Sequence, residues 1–520
     1  MGDRDWTIAG VVRTHRAGRP DRTAITDGEE TITWRALDER SSRVAQALAA
    51  EGVGAEDRIA FIDKNGAEFF EIWFGAAKLN AVMTPISWRL AAPEMRDIIN
   101  DAEARVLFVG SDFLGHLDDL CNQLPTVNKV VALGGYHHHE PYPVWMSRRP
   151  AVDPGMIADD DDVALQVYTS GTTGVPKGAM MTNTNLGLLA AVGPAQQVDG
   201  DSNYLIAMPL FHLGGAGMAL TSLTLGANTV LARDSNPDAL LQTIQQARIT
   251  NAFLVPAVLQ SLTTLAQAAE GDYSALRAIT YGASPITNAV LERSLQIFGC
   301  DFFQIYGLTE TGILTQLDPA DHDPGGPRAH LLRSAGKPYP HLEMTVVDPD
   351  TGQARPPLHV SEVWTRSAQV MKGYWHKPDE TAKAITADGW FRTGDAGYLD
   401  PDGYLFLTDR IKDMIVSGGE NIYPVELENA LADHPAVADV AVIGVPDSRW
   451  GETVKAVVVL NEGATAGQAE LIEWCRQRIA HYKCPTSVDF VAELPRNPSG
   501  KILKRQLREP YWAEHRRQVN

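Results

Sequence analysis

The stretch Tyr168-Thr169-Ser170-Gly171-Thr172-Thr173-Gly174-Val175-Pro176-Lys177-Gly178 constrains this chain more than any other. Glycine permits positive φ and lets successive backbone N–H groups converge on one centre. Such a nest binds anions, and serine and threonine hydroxyls add donors there. Lys177 supplies a mobile point charge suited to a terminal phosphate. Asp160, Asp161 and Asp162 precede the apolar run Val163 to Tyr168, which reads as a strand feeding the loop. The spacing is not that of the common nucleotide loop G-x-x-x-x-G-K-[ST], because Lys177 lies between Pro176 and Gly178.

Upstream, short apolar strands alternate with helical runs. Thr31 to Trp34, Arg58 to Ile62 and Arg105 to Val109 read as strands, and Asp38 to Leu48 and Glu68 to Lys78 as helices. That alternation predicts an α/β fold with a parallel, doubly wound sheet. The length, 520 residues, asks for more than one domain. A net charge of −20 argues against nucleic acid as the main partner, since phosphate backbones need a basic face. Cys121, Cys300, Cys475 and Cys484 are scattered without C-x-x-C spacing, which fits a reducing, cytoplasmic setting. There is no apolar signal segment at the start and no run of membrane-spanning length, so an integral membrane segment is not expected. Peripheral membrane contact and an oligomer stay open. His137, His138, His139 and Glu140 are flanked by Gly134, Gly135 and Pro141, and read as an exposed loop rather than a metal site.

Further signatures follow in order. Thr182 to Asn185 reads as a helix cap. Ala207-Met208-Pro209-Leu210-Phe211-His212-Leu213-Gly214-Gly215-Ala216 reads as a strand ending at Pro209, followed by an aromatic, a histidine and small residues. Thr280 to Pro285 and Phe302 to Glu310 each read as a strand ending in a turn. Gly282 and Ala283 leave flat backbone at the first turn, and Tyr306 places an aromatic ring before the second. Thr309 suits a phosphate, and Glu310 is the carboxylate of its loop, apt for Mg²⁺ as a hard cation. Trp390 to Asp395 ends on a carboxylate, Asp395. Leu494 to Leu503 carries Lys501 at the end of an extended loop.

Taken together, these strings resemble the adenylate-forming superfamily of acyl-CoA synthetases, aryl-CoA ligases, luciferases and peptide-synthetase adenylation domains. In motif style they are most like bacterial fatty-acid–CoA ligases. The resemblance covers roughly residues 20 to 510 in the family's motif order. It implies a large N-terminal adenylation domain (1–409) with doubly wound sheets and a β-rich subdomain, a hinge (410–412) and a small mobile α+β lid (413–520). It implies ATP, Mg²⁺ and CoA, and a carboxylic acid that is fatty or fatty-like. Thr169, Ser170, Gly171, Thr172, Thr173, Gly174 and Lys177 would hold phosphates. Gly282, Ala283, Ser284, Gln304, Tyr306 and Gly307 would border adenine, with Thr309, Asp395, Arg410 and Lys501 on the rest of the nucleotide. Lys501, Thr309, Glu310 and His212 would serve catalysis, Glu310 would hold Mg²⁺ and Lys412 would be the hinge residue. Ser417, Gly418 and Gly419 would lie along CoA.

The same resemblance assigns Phe211, His212, Ala216, Gly282, Gly307 and Ile313 to the acyl pocket, with small residues at 214 to 216 leaving room for the acyl group. His212 stands where amino-acid-activating relatives usually have aspartate, which disfavours an amino-acid substrate. Asn183 stands where many relatives have histidine, and Ser361 where they have glycine. An aryl-CoA ligase, an adenylating enzyme with a carrier-protein thiol or another acceptor, and a non-catalytic nucleotide-binding protein are the competing readings.

Overall fold

A computed structural model describes residues 6–115, 121–135, 138–170, 176–234, 236–284, 286–410, 413–417, 420–447, 449–496 and 501–512. The chain forms two compact units. The first comprises Met1–Gly282, Ser294–Leu314 and Ser367–Gly389, and the second Ala283–Arg293, Thr315–Arg366 and Trp390–Asn520. Among the described residues no helix is long and apolar enough to cross a membrane.

The first unit holds two large sheets. One runs, from edge to edge, through Gly373–Tyr374, Pro176–Thr182, Val163–Ser170, Val82–Pro85, Arg58–Ile62, Val106–Gly110, Lys129–Leu133 and Glu140–Pro141. Its pairings from Val163–Ser170 onward to Glu140–Pro141 are parallel. Parallel strands covered on both faces read as unbroken apolar runs. Arg58–Ile62 and Val106–Gly110 are buried at every position. The connecting helices Ala67–Ala77 and Ala92–Asp101 lie between the strands in sequence. Among the described residues of this sheet, the hairpin Val163–Ser170/Pro176–Thr182 and the short edge strand Gly373–Tyr374 pair antiparallel.

The other sheet runs Lys337–Pro338, Gly312–Leu317, Asp301–Leu308, Ala278–Gly282, Asn251–Leu254, Asn203–Ile206, Asn228–Leu231, Thr23–Asp27, Glu30–Thr33. Asp301–Leu308 through Thr23–Asp27 are parallel neighbours. Asn65 joins the two sheets. Its Nδ2 donates to the carbonyls of Met208 and Ala232 at 3.0 Å, and its Oδ1 accepts from the Leu210 N–H at 3.0 Å.

Two boundaries differ from the sequence reading. Trp34 does not end a strand but opens the helix Trp34–Ala50, because Thr33 Oγ1 caps it by accepting from the Ala36 N–H at 3.2 Å. The strand expected to reach Pro209 ends at Ile206, before the proline that could not donate to a ladder. The cap at Thr182 is present. Thr182 and Asn185 exchange side-chain-to-backbone bonds at 3.2 and 2.8 Å at the start of helix Asn183–Ala190. Asn183 has a structural use of its own, with Oδ1 accepting from the Ile8 N–H and Nδ2 donating to the Asp159 carbonyl.

In the second unit, Glu343–Val347, Ser361–Arg366, Phe391–Leu399 and Leu405–Arg410 form an antiparallel sheet. The C-terminal part is α+β. Its sheet runs Glu420–Ile422, Ile415–Ser417, Gly451–Leu460, Val437–Asp447, with Ser487–Phe490 also beside Gly451–Leu460. Helices Pro424–Ala432 and Gln468–Arg476 accompany the sheet, and Leu427, Leu431, Val442, Val458 and Leu471 form its core. The protein is thus an α/β molecule with a large N-terminal part, a β-rich portion and a small C-terminal domain.

Candidate phosphate-binding and acid-activating site

The glycine-rich stretch is the tip of a β-hairpin. Thr169 lies opposite Lys177 and Ser170 opposite Pro176. Opposed residues of an antiparallel pair project from the same face, so Thr169 and Lys177 share one side of the hairpin. Gly171, Thr172, Thr173 and Gly174 lie outside the described residues.

Glu310 reaches this hairpin from the other sheet. It lies in the turn between Asp301–Leu308 and Gly312–Leu317. The Thr311 Oγ1 accepts from the Leu308 N–H at 3.1 Å and closes the turn. Gly307 lets it close, since a Cβ there would fall 1.9 Å from the Gly312 carbonyl oxygen. Glu310 Oε1 accepts from Thr169 Oγ1 at 3.3 Å and from the Tyr374 hydroxyl at 2.9 Å. The Met371 N–H donates to the Glu310 carbonyl at 2.8 Å.

Lys177 is 9% exposed, and its ammonium pairs with the Glu380 carboxylate. The Tyr374 ring centroid is 5.2 Å from that ammonium, within cation–π range. Glu380 is shared with Lys383 at 2.6 Å, and the hydrogen bonds from Lys177 and Lys383 pull its carboxyl down to about 2. The sequence reading names Thr169, Lys177 and Glu310 but not Tyr374 and Glu380, which the structure brings beside them. No local pattern marks them. They arrive because Gly373–Tyr374 pairs with Met180 and Ala179 of the hairpin. The Glu310 carboxylate with the Thr169 hydroxyl is an oxygen-only set, the kind a hard divalent cation takes.

His212 is the residue before helix Leu213–Leu225. Burial, then the Arg89 charge, pushes its imidazole down to about 4. Its Nε2 is buried without a hydrogen-bond partner, and the Phe211 ring lies 4.5 Å away. Phe211, Ala216 and Ile313 are buried too. A Cβ at Gly215 would meet the Pro209 carbonyl oxygen at 2.3 Å, so that glycine serves helix packing. At Gly214 the nearest atom would be a Phe253 ring carbon at 3.4 Å, ordinary contact. Gln369 Nε2 donates to the carbonyls of Thr311 and Ile313 at 2.8 Å and holds Ile313 in place.

Of the residues expected around adenine, Gln304 and Tyr306 lie on Asp301–Leu308, and Gly307 follows on the same strand. Gln304 Oε1 accepts from the Tyr281 hydroxyl at 3.4 Å. Gly282 ends its strand with a Cβ position only 2.4 Å from the Ile305 carbonyl oxygen, so its glycine is accounted for by strand packing. Ala283 follows with φ +68°, and Ser284 next to it. Thr309 sits beside Glu310, half-buried.

In the second unit Asp395 is 7% exposed on Phe391–Leu399, in register with Arg410 of Leu405–Arg410. The preceding Gly394 has φ +68°, and its N–H donates to Glu362 Oε1 at 3.1 Å. Glu362, 7% exposed, also accepts from Trp364 Nε1 at 2.8 Å. Glu362 therefore fixes the kink that presents Asp395, a role the sequence reading did not assign. Its bonds come through its side chain, so Ser361 in the preceding position does not disturb them.

Lys501 is exposed, and the described chain on either side of residues 497–500 is pinned. Arg496 bridges to Ile502, the Leu503 N–H donates to the Pro495 carbonyl at 2.8 Å, and Arg496 pairs with Asp439 at 2.5 Å. Ser417 ends Ile415–Ser417 opposite Glu420 and Gly451. Lys412, Gly418 and Gly419 lie outside the described residues. The histidines beside Glu140 form no metal cluster among the described residues, and Glu140 is taken by Lys129 and Arg148 at 2.8 and 2.6 Å.

The family description "AMP-binding enzyme" matches residues 12–375, and "AMP-binding enzyme C-terminal domain" matches 426–501. A fatty acid–[acyl-carrier-protein] ligase, ScoC, of Streptomyces coeruleorubidus is 39% identical over 99% of this chain and 98% of its own. A feruloyl-CoA synthase of an Amycolatopsis species is 37% identical over 95% and 96%. The crystal structure of ATP-bound MatB from Rhodopseudomonas palustris superposes with a TM-score of 0.89 at 27% identity, over 97% of this chain and 99% of that one. The hairpin with its lysine, the carboxylate brought to it and the two matched regions agree, and the chain belongs to the AMP-binding, adenylate-forming enzyme family.

Proposed function

We propose that the protein is an ATP-dependent acid–thiol ligase, an acyl-CoA synthetase that releases AMP. In the first half-reaction a carboxylate oxygen of the acid bonds to the α-phosphorus of ATP, and pyrophosphate leaves. In the second a thiol sulfur bonds to the acyl carbon, the thiol proton is lost and AMP leaves. The first step brings two anions together, so the protein must supply preorganised positive groups and donors. The observation that carries the reading is the hairpin with Thr169 opposite Lys177 and Glu310 on the Thr169 hydroxyl.

In this reading Thr169 to Lys177 hold the leaving pyrophosphate, Thr309 donates to the α-phosphate, and Asp395 and Arg410 serve the ribose. Glu310 would hold Mg²⁺, which when bound offsets the phosphate charge. His212, half-buried and neutral, with the buried Phe211, Ala216 and Ile313 borders the acid. Lys501 supplies the amine for adenylation. The division is 1–409, hinge 410–412 with Lys412, and 413–520, with Ser417, Gly418 and Gly419 serving CoA in the second step. The acid is fatty or fatty-like, and the scattered cysteines suit a cytoplasmic enzyme.

A second acceptor is favoured by one finding. The relative identical at 39% is named for transfer to an acyl-carrier protein, so a carrier thiol is the alternative to CoA. The test is acid-dependent exchange of labelled pyrophosphate into ATP across a carboxylate panel, followed by AMP release with CoA alone. Exchange and CoA-dependent AMP release are expected. Exchange without CoA-dependent release moves the acceptor to a carrier protein. No exchange with any acid would defeat the assignment.

A further inference from the structure

The segment that carries Tyr374 and Glu380 lies outside every motif that marks the site, yet it is stitched to it. The Lys372 N–H donates to the Met180 carbonyl at 2.9 Å and the Trp375 N–H to the Gly178 carbonyl at 2.8 Å. The Trp375 ring is held by the Arg58 guanidinium at 3.4 Å and donates through Nε1 to the Asp101 carbonyl at 3.0 Å. The Tyr374 N–H donates to Thr381 Oγ1 at 2.9 Å, which ties Tyr374 to the helix Pro378–Ala384 that bears Glu380. Tyr374 therefore enters the site as a fixed strut, with its hydroxyl on Glu310 and its ring under Lys177.

We propose that Tyr374 and Glu380 are positioning residues of the triphosphate site, Tyr374 by tethering the Glu310 carboxylate and Glu380 by holding the Lys177 ammonium until a phosphate replaces it. The proposal rests on the ligase reading above. Lys177 and Glu380 side chains are 11% and 25% exposed, so the pair is partly shielded from water. A lysine left there alone would be an uncompensated charge. Glu380 stays ionised at any ordinary assay pH, so protonation does not release the lysine. An incoming phosphate does, because it offers more charge and more acceptors. The displaced Glu380 keeps Lys383, whose side chain is 73% exposed and free to follow it. ATP thus binds by exchange of one anion for another.

The experiment is equilibrium binding of ATP and of pyrophosphate, with and without Mg²⁺, by calorimetry and thermal shift on the full chain. Glu380→Gln is expected to tighten pyrophosphate about fivefold, the scale of a partly exposed ion pair, and to lower the melting temperature without ligand. Tyr374→Phe keeps the ring under Lys177 and removes the tether. It is expected to raise the Mg²⁺ concentration needed for half-maximal ATP binding about tenfold, the scale of a hydrogen bond to a charged group, with KM for CoA unchanged. Glu380→Asp retracts the carboxylate by one methylene and should fall between wild type and Glu380→Gln, which keeps the test open if the latter folds poorly. Wild type that binds neither ligand overturns the ligase reading and this inference with it. Wild type that binds, with pyrophosphate affinity unchanged or weaker in both Glu380 variants, or with an unaltered Mg²⁺ requirement in Tyr374→Phe, overturns this inference alone.

Discussion

At the scale of single residues, the site is set by which polar atoms are buried and with what. His212 has the ordinary value of 6.5 lowered to about 4 by burial. Between those values the unfolded chain takes up a proton that the folded imidazole refuses. The stability at stake is therefore fully present above pH 6.5 and is lost as pH falls through 4, a swing of about 3 kcal/mol. In His212→Gln the urea midpoint should fall less steeply between pH 7 and pH 4.5 than in wild type. Identical slopes would mean that the imidazole does not titrate in this way. Thr169, Lys177 and Glu310 were legible in the sequence because glycine, hydroxyl and lysine chemistry is local. Tyr374 and Glu380 were not, because what recruits them is a two-residue strand pairing some two hundred positions from the loop. Glu362 was passed over for the same reason: its partner, the Gly394 N–H, lies on the neighbouring strand.

At the scale of elements, two glycines that look alike in the sequence serve different ends. Gly394 has φ +68° with nothing within 4 Å of a Cβ, so its demand is conformational. Gly307 has a carbonyl oxygen 1.9 Å from the Cβ position, so its demand is space. Asparagine tolerates the left-handed region better than other side chains. Gly394→Asn should then cost less than about 1 kcal/mol, while Gly307→Asn should cost about 1–3 kcal/mol by forcing the Glu310 turn open. Denaturant midpoints measure both, and equal losses would refute the distinction. The strands and helices were readable to within a few residues wherever apolar runs were long and continuous, as at Arg58–Ile62. The misreadings came at Trp34 and Pro209. At Trp34 a cap decided the boundary and at Pro209 a missing donor did, rather than hydrophobic periodicity. Gly215 fills a packing need against the Pro209 carbonyl that periodicity does not reveal.

At the scale of the whole molecule, the proposed chemistry divides between two compact units. Thr169, Lys177 and Glu310 belong to the first, and Asp395, Arg410 and Lys501 to the second. Lys501→Ala is expected to slow acyl-adenylate formation about a hundredfold or more, as losing a preorganised charge does, while thiolysis of supplied acyl-adenylate persists. Rapid-quench measurement of each half-reaction decides it, and equal loss of both would deny Lys501 a role confined to the first. Motif order along the chain made the α/β class and the small C-terminal domain readable in advance. The passage from one unit to the other within a single strand, at Leu314 and Thr315 of Gly312–Leu317, carries no mark in the sequence.

The facing of Thr169 and Lys177 across the hairpin has a bearing on how such a loop can change over evolutionary time. Side chains on a strand alternate with a period of two, so parity matters more than identity at the tip. Inserting or deleting one residue within a paired arm would slide that arm by a single step and turn either the hydroxyl or the amine to the far face. Changes of length are therefore tolerated in the connection between the arms, and within the arms only when the slip is repaired elsewhere in the ladder.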